Sequence, residues 1–183
     1  MLKFINKYFV FCFLFIFLNS CTTTGHLKEK TLLSENMNSY KEAFLFVSAK
    51  DPANTKLVQD FQKKAFDELI KAKIYNSVVV KSGSNSDLEI NLNLVQYKKG
   101  STAAHVVQVV ADGERKGVTV LKFDGQLIDK KTKEVLGTFE LSGNSGRSSD
   151  STLNFPKTVE EQNIRAIDAA SEHLVKFLKE KKK

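Results

Sequence analysis

His26, His105 and His173 are the side chains best suited to carry a proton or bind a metal near neutral pH. No second histidine follows any of them at the spacing of a metal-ligand pair, so neither a metal site nor a cofactor is expected. Asp124 and Asp129 could be imagined as paired carboxylates for acid–base work. Five residues apart on a strand, they fall on opposite faces, because side chains alternate. Asp129 is better explained as a turn residue whose carboxylate bonds the nearby backbone. Ser142-Gly143-Asn144-Ser145-Gly146 lacks the strand-to-helix setting of an activated serine. Gly100 and the pair Gly113 and Gly117 form no phosphate-binding loop and read as turn residues. The chain carries no catalytic constellation, and a non-enzymatic role is expected.

Cys21 is different, because its surroundings predict a modification. Lys3 and Lys7 precede an apolar run, Tyr8–Leu18, of the length of a signal-peptide core. A membrane-spanning helix needs roughly 20 apolar residues, and an uncleaved anchor would draw Lys7 into the span. Six of the 14 phenylalanines fall in the first 17 residues, which marks a segment with its own task. Leu18-Asn19-Ser20-Cys21 resembles the lipobox of bacterial lipoproteins, although Asn19 departs from the usual small or apolar residue. The resemblance implies cleavage before Cys21, diacylglycerol on its thiol, and a protein held on a membrane by lipid. Several acyl chains, at about 0.8 kcal/mol per buried methylene, anchor stably where one does not.

Cleavage there removes Cys12 and lipidation consumes Cys21, so no thiol remains for a disulfide or a nucleophile. It also removes Lys3 and Lys7, which takes the formal charge of +7 to +5. Much of the excess sits in the tail Lys176–Lys183, read here as a solvated, frayed helix end. The basic residues are nearly all lysine, with Arg115, Arg147 and Arg165 the exceptions and no aromatic interleaving. Nucleic acid is therefore not an expected partner.

These features divide the chain into a signal peptide over 1–20, a lipidated polar tether over 21–40 and one domain over 41–183. Ala43–Val47 reads as a strand buried on both faces. Asp51 and Pro52 suit a helix start, and Leu57, Val58, Phe61, Ala65, Leu69 and Ile70 follow at helical spacing to about Lys73. Tyr75–Val80 is a short β-branched strand, and Leu88, Ile90, Leu92 and Leu94 alternate cleanly with polar residues. Val118–Ile128 and Val135–Leu141 form a hairpin about a polar turn at 129–133. Ser142–Thr152, rich in Ser and Gly, reads as a mobile loop. Thr158 and Glu161 make a capping box for a last helix with Ile164, Ile167, Ser171, Leu174 and Leu178 on one face. The expected fold is α+β: a mainly antiparallel sheet of about five strands, a mixed one being open, covered by two amphipathic helices.

The element order, with Val118-Thr119-Val120, Leu127-Ile128-Asp129, Thr132, Val135-Leu136 and Phe139, resembles an uncharacterised family of bacterial lipoproteins, domain of unknown function 4410. Members carry a phrase like D-x-x-T-G-x-x-L at the hairpin turn and an alanine-rich last helix. Asp129, Thr132, Ala166, Ala169 and Ala170 match, while Lys133 stands in the glycine position. At the level of fold the order is also similar to the N-terminal domain of TolB and to curli secretion lipoproteins. The resemblance implies an envelope lipoprotein and brings no catalytic residue. The expectation is an anchored protein that binds or assembles another envelope protein, with Thr22 after the cysteine favouring the outer membrane, facing the periplasm. A small-ligand or lipid carrier and an enzyme remain alternatives. The apolar run His105, Val106, Val107, Val109 and Val110 is the candidate partner surface.

Overall fold

A computed structural model describes residues 26–31, 37–80, 86–101, 117–146 and 158–182. Six strands form one mixed sheet, and two helices cover one of its faces. The strands are β1 (Leu27–Glu29), β2 (Glu42–Ala49), β3 (Ser77–Val79), β4 (Leu88–Lys98), β5 (Val120–Asp129) and β6 (Val135–Asn144). The helices are α1 (Thr55–Ala72) and α2 (Val159–Lys181). The sheet order is β1-β6-β5-β4-β2-β3. β4, β5 and β6 pair antiparallel, as does β1 with β6, whereas β2 lies parallel to both β3 and β4. The α+β class is as expected, with a sixth strand.

Alternation decides which residues form the core. Leu45, Ile90, Leu127 and, one pair along, Val47, Leu92 and Gly125 stand in register on the covered face. Leu69, Phe61 and Ala65 of α1 and Ala170, Leu174 and Leu178 of α2 close over them, all fully buried. Phe61 stacks on Phe123 at 4.3 Å and Phe139 meets Phe177 tilted, at 4.8 Å between ring centres, an added gain of roughly 0.5–1.5 kcal/mol per pair. Thr158 accepts from Glu161 N at 3.0 Å and caps α2 as its sequence implies, whereas Asp51 accepts from Ala53 N at 2.9 Å and caps a 3-10 turn, Pro52–Asn54, that leads into α1.

Several expectations need correction. Leu27–Glu29, inside the stretch read as a tether, adds an edge strand to β6. Three residues are too few to show a period, and their place is set by partners far along the chain. β2 is not buried on both faces: Phe46, 43% exposed, lies on the uncovered side. On α2, Ile164 is 52% exposed, while the rest of the expected face, Ile167, Ser171, Leu174 and Leu178, is buried together with Ala166, Ala169 and Ala170. The pairing of β5 with β6 slips between Leu127 and Ile128, passing over Leu136, so Val135 is exposed and Leu136 buried.

Residues 142–146, read as part of a loop, continue β6 to Asn144 and end in a buried Ser145. Ser145 N donates to Thr119 O at 3.0 Å, and Thr119 N donates to Ser145 Oγ at 2.9 Å. Gly143 serves the packing here: a Cβ would overlap the Ala166 carbonyl oxygen of α2. The glycine lets helix and strand backbones meet.

The basic tail is not frayed as far as Lys182. Lys181 Nζ donates to Glu29 Oε2 at 2.8 Å, joining α2 to β1. Lys182 Nζ donates to the carbonyls of Tyr40 and Ile74, each at 2.8 Å, and lies 4.4 Å from the centre of the Tyr75 ring. Burial and the neighbouring Lys41 hold its amine below the usual lysine range. Orphan carbonyls at the start of β2 and before β3 gain a donor, a long-range demand that the tail's composition does not reveal.

Candidate functional surfaces

Cys21, with Leu18, Asn19 and Ser20, lies outside the described residues, as does the run His105, Val106, Val107, Val109 and Val110. The residues flanking the segment 102–116 meet: Ser101 N donates to Gly117 O at 3.1 Å. His26 is exposed at the start of β1 and exchanges backbone contacts with Ser142: Ser142 N donates to His26 O at 2.8 Å. His173 is half-buried on α2. Among the described residues no three His, Cys, Asp or Glu side chains gather closely enough to hold a metal ion.

The two aspartates are kept apart as the alternation predicts. Asp124 stands on the uncovered face opposite Glu140 and accepts from Lys30 Nζ at 2.6 Å. Asp129 ends β5 and accepts from Lys131 N at 2.7 Å, Thr132 N at 2.9 Å and Tyr40 Oη at 2.9 Å. Those bonds, led by the Thr132 N–H and the Tyr40 hydroxyl, hold its carboxyl below the usual carboxylate range. Lys133 in the same turn has φ of 64°, the left-handed conformation for which glycine is the default residue. Asp129 is a turn organiser, and the two carboxylates cannot act on one atom.

A feature absent from the sequence reading is the groove between the first turns of α1 and α2. This open groove has a volume of about 730 Å³, with Leu57, Tyr97, Ile164 and Ile167 among its apolar walls and Lys56, Lys64, Lys99, Asp60, Glu160 and Asp168 among its charged ones. Lys64 Nζ bridges across to Asp168 of α2 at 3.0 Å and pairs with Glu68 on its own helix at 3.4 Å. Tyr97 Oη donates to Asn163 Oδ1 at 3.2 Å. Below the groove, Gly100 N donates to Thr119 Oγ1 at 3.1 Å, and Thr119 Oγ1 reaches Gln162 Oε1 at 3.4 Å. Buried Thr119, Ser145 and Gln162 thus tie the start of α2 to the ends of β4, β5 and β6. Gly100 has no room for a side chain, since a Cβ would land on Gln162 Oε1. Nothing in the sequence signals it, since Ile164 falls on the expected core face of the last helix, and only the parallel start of the two helices makes a groove there.

The uncovered face of the sheet is mostly polar. Asn91 pairs with Gln126 and Asn93 with Asp124, while Ser48 Oγ donates to Asn93 Oδ1 at 3.3 Å. Phe46 stacks beside Phe44 at 6.3 Å at one margin, where Lys130 Nζ sits 5.2 Å from the Phe44 ring centre. No helix among the described residues is long and apolar enough to cross a membrane.

No family model and no curated protein matches the chain, so the resemblance to family 4410 rests on the turn and helix residues alone. Solved structures do resemble it. The PelC dodecamer from Paraburkholderia phytofirmans is 11% identical over 81% of this chain and 99% of that chain, with a TM-score of 0.45. A Xanthomonas campestris protein of domain-of-unknown-function family 330 is 8% identical over 76% and 81%, with a TM-score of 0.47. A lipoprotein from Neisseria meningitidis is 11% identical over 61% and 86%, with a TM-score of 0.39. Identities this low carry no residue's role across, and a shared chain path does not fix function.

Proposed function

We propose that this chain is an envelope lipoprotein, anchored through Cys21, whose domain binds or helps assemble another envelope protein without catalysing a reaction. The observation that carries the reading is the signal-peptide sequence closed by Leu18-Asn19-Ser20 before Cys21, with five residues between that cysteine and the first strand. A lipid needs only that cysteine, and a binding role needs only a rigid scaffold with exposed surfaces. The sheet locked by α1 and α2 supplies the scaffold, and its polar uncovered face supplies one surface. Asp124 and Asp129, the carboxylates best placed by sequence for acid–base work, are engaged in an ion pair and in a turn. Thr22 after the cysteine favours the outer membrane, with the domain in the periplasm. The carrier alternative calls for an enclosed apolar cavity, whereas the groove between the helices is open and carries charges of both signs.

The test is extraction of the native protein in mild detergent, followed by intact mass of the N-terminal peptide and identification of whatever co-purifies. The expected result is an acylated Cys21 with a stoichiometric protein partner, both lost in Cys21→Ala. An unmodified N-terminus that begins at Met1 would refute the anchor. An acylated monomer without a partner would refute the assembly role.

A further inference from the structure

Two ends of the domain differ in kind, and only one can lie near Cys21. β1 runs antiparallel to β6 with Leu27 opposite Leu141, so its N-terminal end, at His26, lies toward the end of β6 at Asn144. Val120 is in register with both Asn144 and Lys98, which puts the end of β4 there too. The first turns of both helices, with their groove, stand at this same end, tied down by Thr119 and Gln162. The opposite end holds the turn at 130–134, Tyr40, Tyr75 and Lys182, one ten-residue strand away, or about 30 Å. Five residue steps separate Cys21 from His26, which span at most about 18 Å even when fully extended.

We infer that the groove end of the domain sits on the anchoring membrane, with Lys56 and Lys99 at the level of anionic phospholipid headgroups and Ile164 as the apolar contact. The inference rests on the lipoprotein reading above. The short leash holds this end at high effective concentration over the lipid, so weak contacts suffice to orient it. Lys56 and Lys99 are exposed beside the groove, and Ile164 is the most exposed large apolar side chain among the described residues. Lysine ammonium groups over an apolar contact match an interface where anionic headgroups border acyl chains. Asp60 and Glu160 share the rim, so the attraction is local to the two lysines and leaves the domain free to release. The C-terminal lysines, which composition alone would send to the lipid, are then directed away from it with the 130–134 turn. That far end and the polar sheet face become the surfaces open to a partner.

The experiment places one fluorophore on a cysteine at either end, Lys99→Cys or Lys131→Cys, in the full lipidated protein. The protein is reconstituted in phosphatidylethanolamine and phosphatidylglycerol vesicles that carry a headgroup-linked quencher. Cys12 departs with the signal peptide and lipidated Cys21 cannot react, so each variant takes a single dye. Quenching is expected to be several-fold stronger at position 99 than at 131. Adding Lys56→Glu with Ile164→Asp, both at exposed positions, should bring position 99 down toward the level of 131. Equal quenching at the two positions, or stronger quenching at 131, overturns the orientation. Dye uptake by the chain without an added cysteine would instead show a free Cys21 thiol, and would fail the lipoprotein reading.

Discussion

Gly143→Ala adds one methyl group where α2 rests on β6. Its Cβ would overlap the Ala166 carbonyl oxygen and stand 2.7 Å from Ala170 N, both of them backbone atoms of a helix interior that no rotamer change can move. Ordinary contact needs about 3.5 Å, so α2 must retreat by about 1 Å. A gap of that size forfeits roughly a quarter to a half of each dispersion contact it opens. The residues affected are the buried row Ala166, Ala170, Leu174 and Leu178. Overpacking of this kind costs about 1–3 kcal/mol, and the absence of any flexible neighbour places it at the upper end, about 2–3 kcal/mol. For a domain of this size the melting temperature should fall by roughly 5–10 °C. Thermal unfolding followed by far-ultraviolet circular dichroism in mild detergent reads it directly. Gln126→Ala, on the exposed face of the next strand, is the control and should change stability by no more than about 0.5 kcal/mol. If Gly143→Ala melts with the control, α2 does not sit on β6 as described, and the groove at its first turn loses its foundation.

Lys133→Gly should stabilise the β5–β6 turn by about 0.5–1 kcal/mol, because Lys133 holds φ of 64° without benefit from a Cβ; a loss of stability in urea titration would contradict that backbone geometry. Asp129 should make folding sensitive to acid: with its carboxyl held below the ordinary value, the stabilisation is present above the unfolded pKa and fades as pH falls through the depressed one. Asp129→Asn should flatten that part of the stability–pH profile, and an unchanged profile would clear Asp129 of the effect. Glu29→Ala and Lys181→Ala, combined in a double-mutant cycle, should show a coupling of up to about 1 kcal/mol, since the pair is partly exposed. Hydrogen exchange at Leu27–Glu29 should quicken in either variant, and equal protection in all forms would mean that α2 does not hold the edge strand.

Local chemistry was legible in the chain. Asp51 and Thr158 announce helix starts, the alternation from Leu88 to Leu94 announces a half-buried strand, and Asp129 with Thr132 announces a turn. These signals repeat every two or three to four residues, so a short window contains them. The address was equally local, because a signal peptide is read before the chain folds and so must be written in contiguous residues. Tertiary structure alone decided what depends on distant partners. Leu27–Glu29 is a strand because β6 offers an edge, with Phe139 opposite Glu29 and 110 residues on. Gly143 reads as part of a loop until α2 is laid across it, and Ile164 reads as core until the starts of α1 and α2 leave a groove there. Lys181 and Lys182 look like solvated charge until Glu29 and two orphan carbonyls come within reach. Composition and period say what a residue prefers; only the packed sheet says which of its neighbours are present to satisfy it.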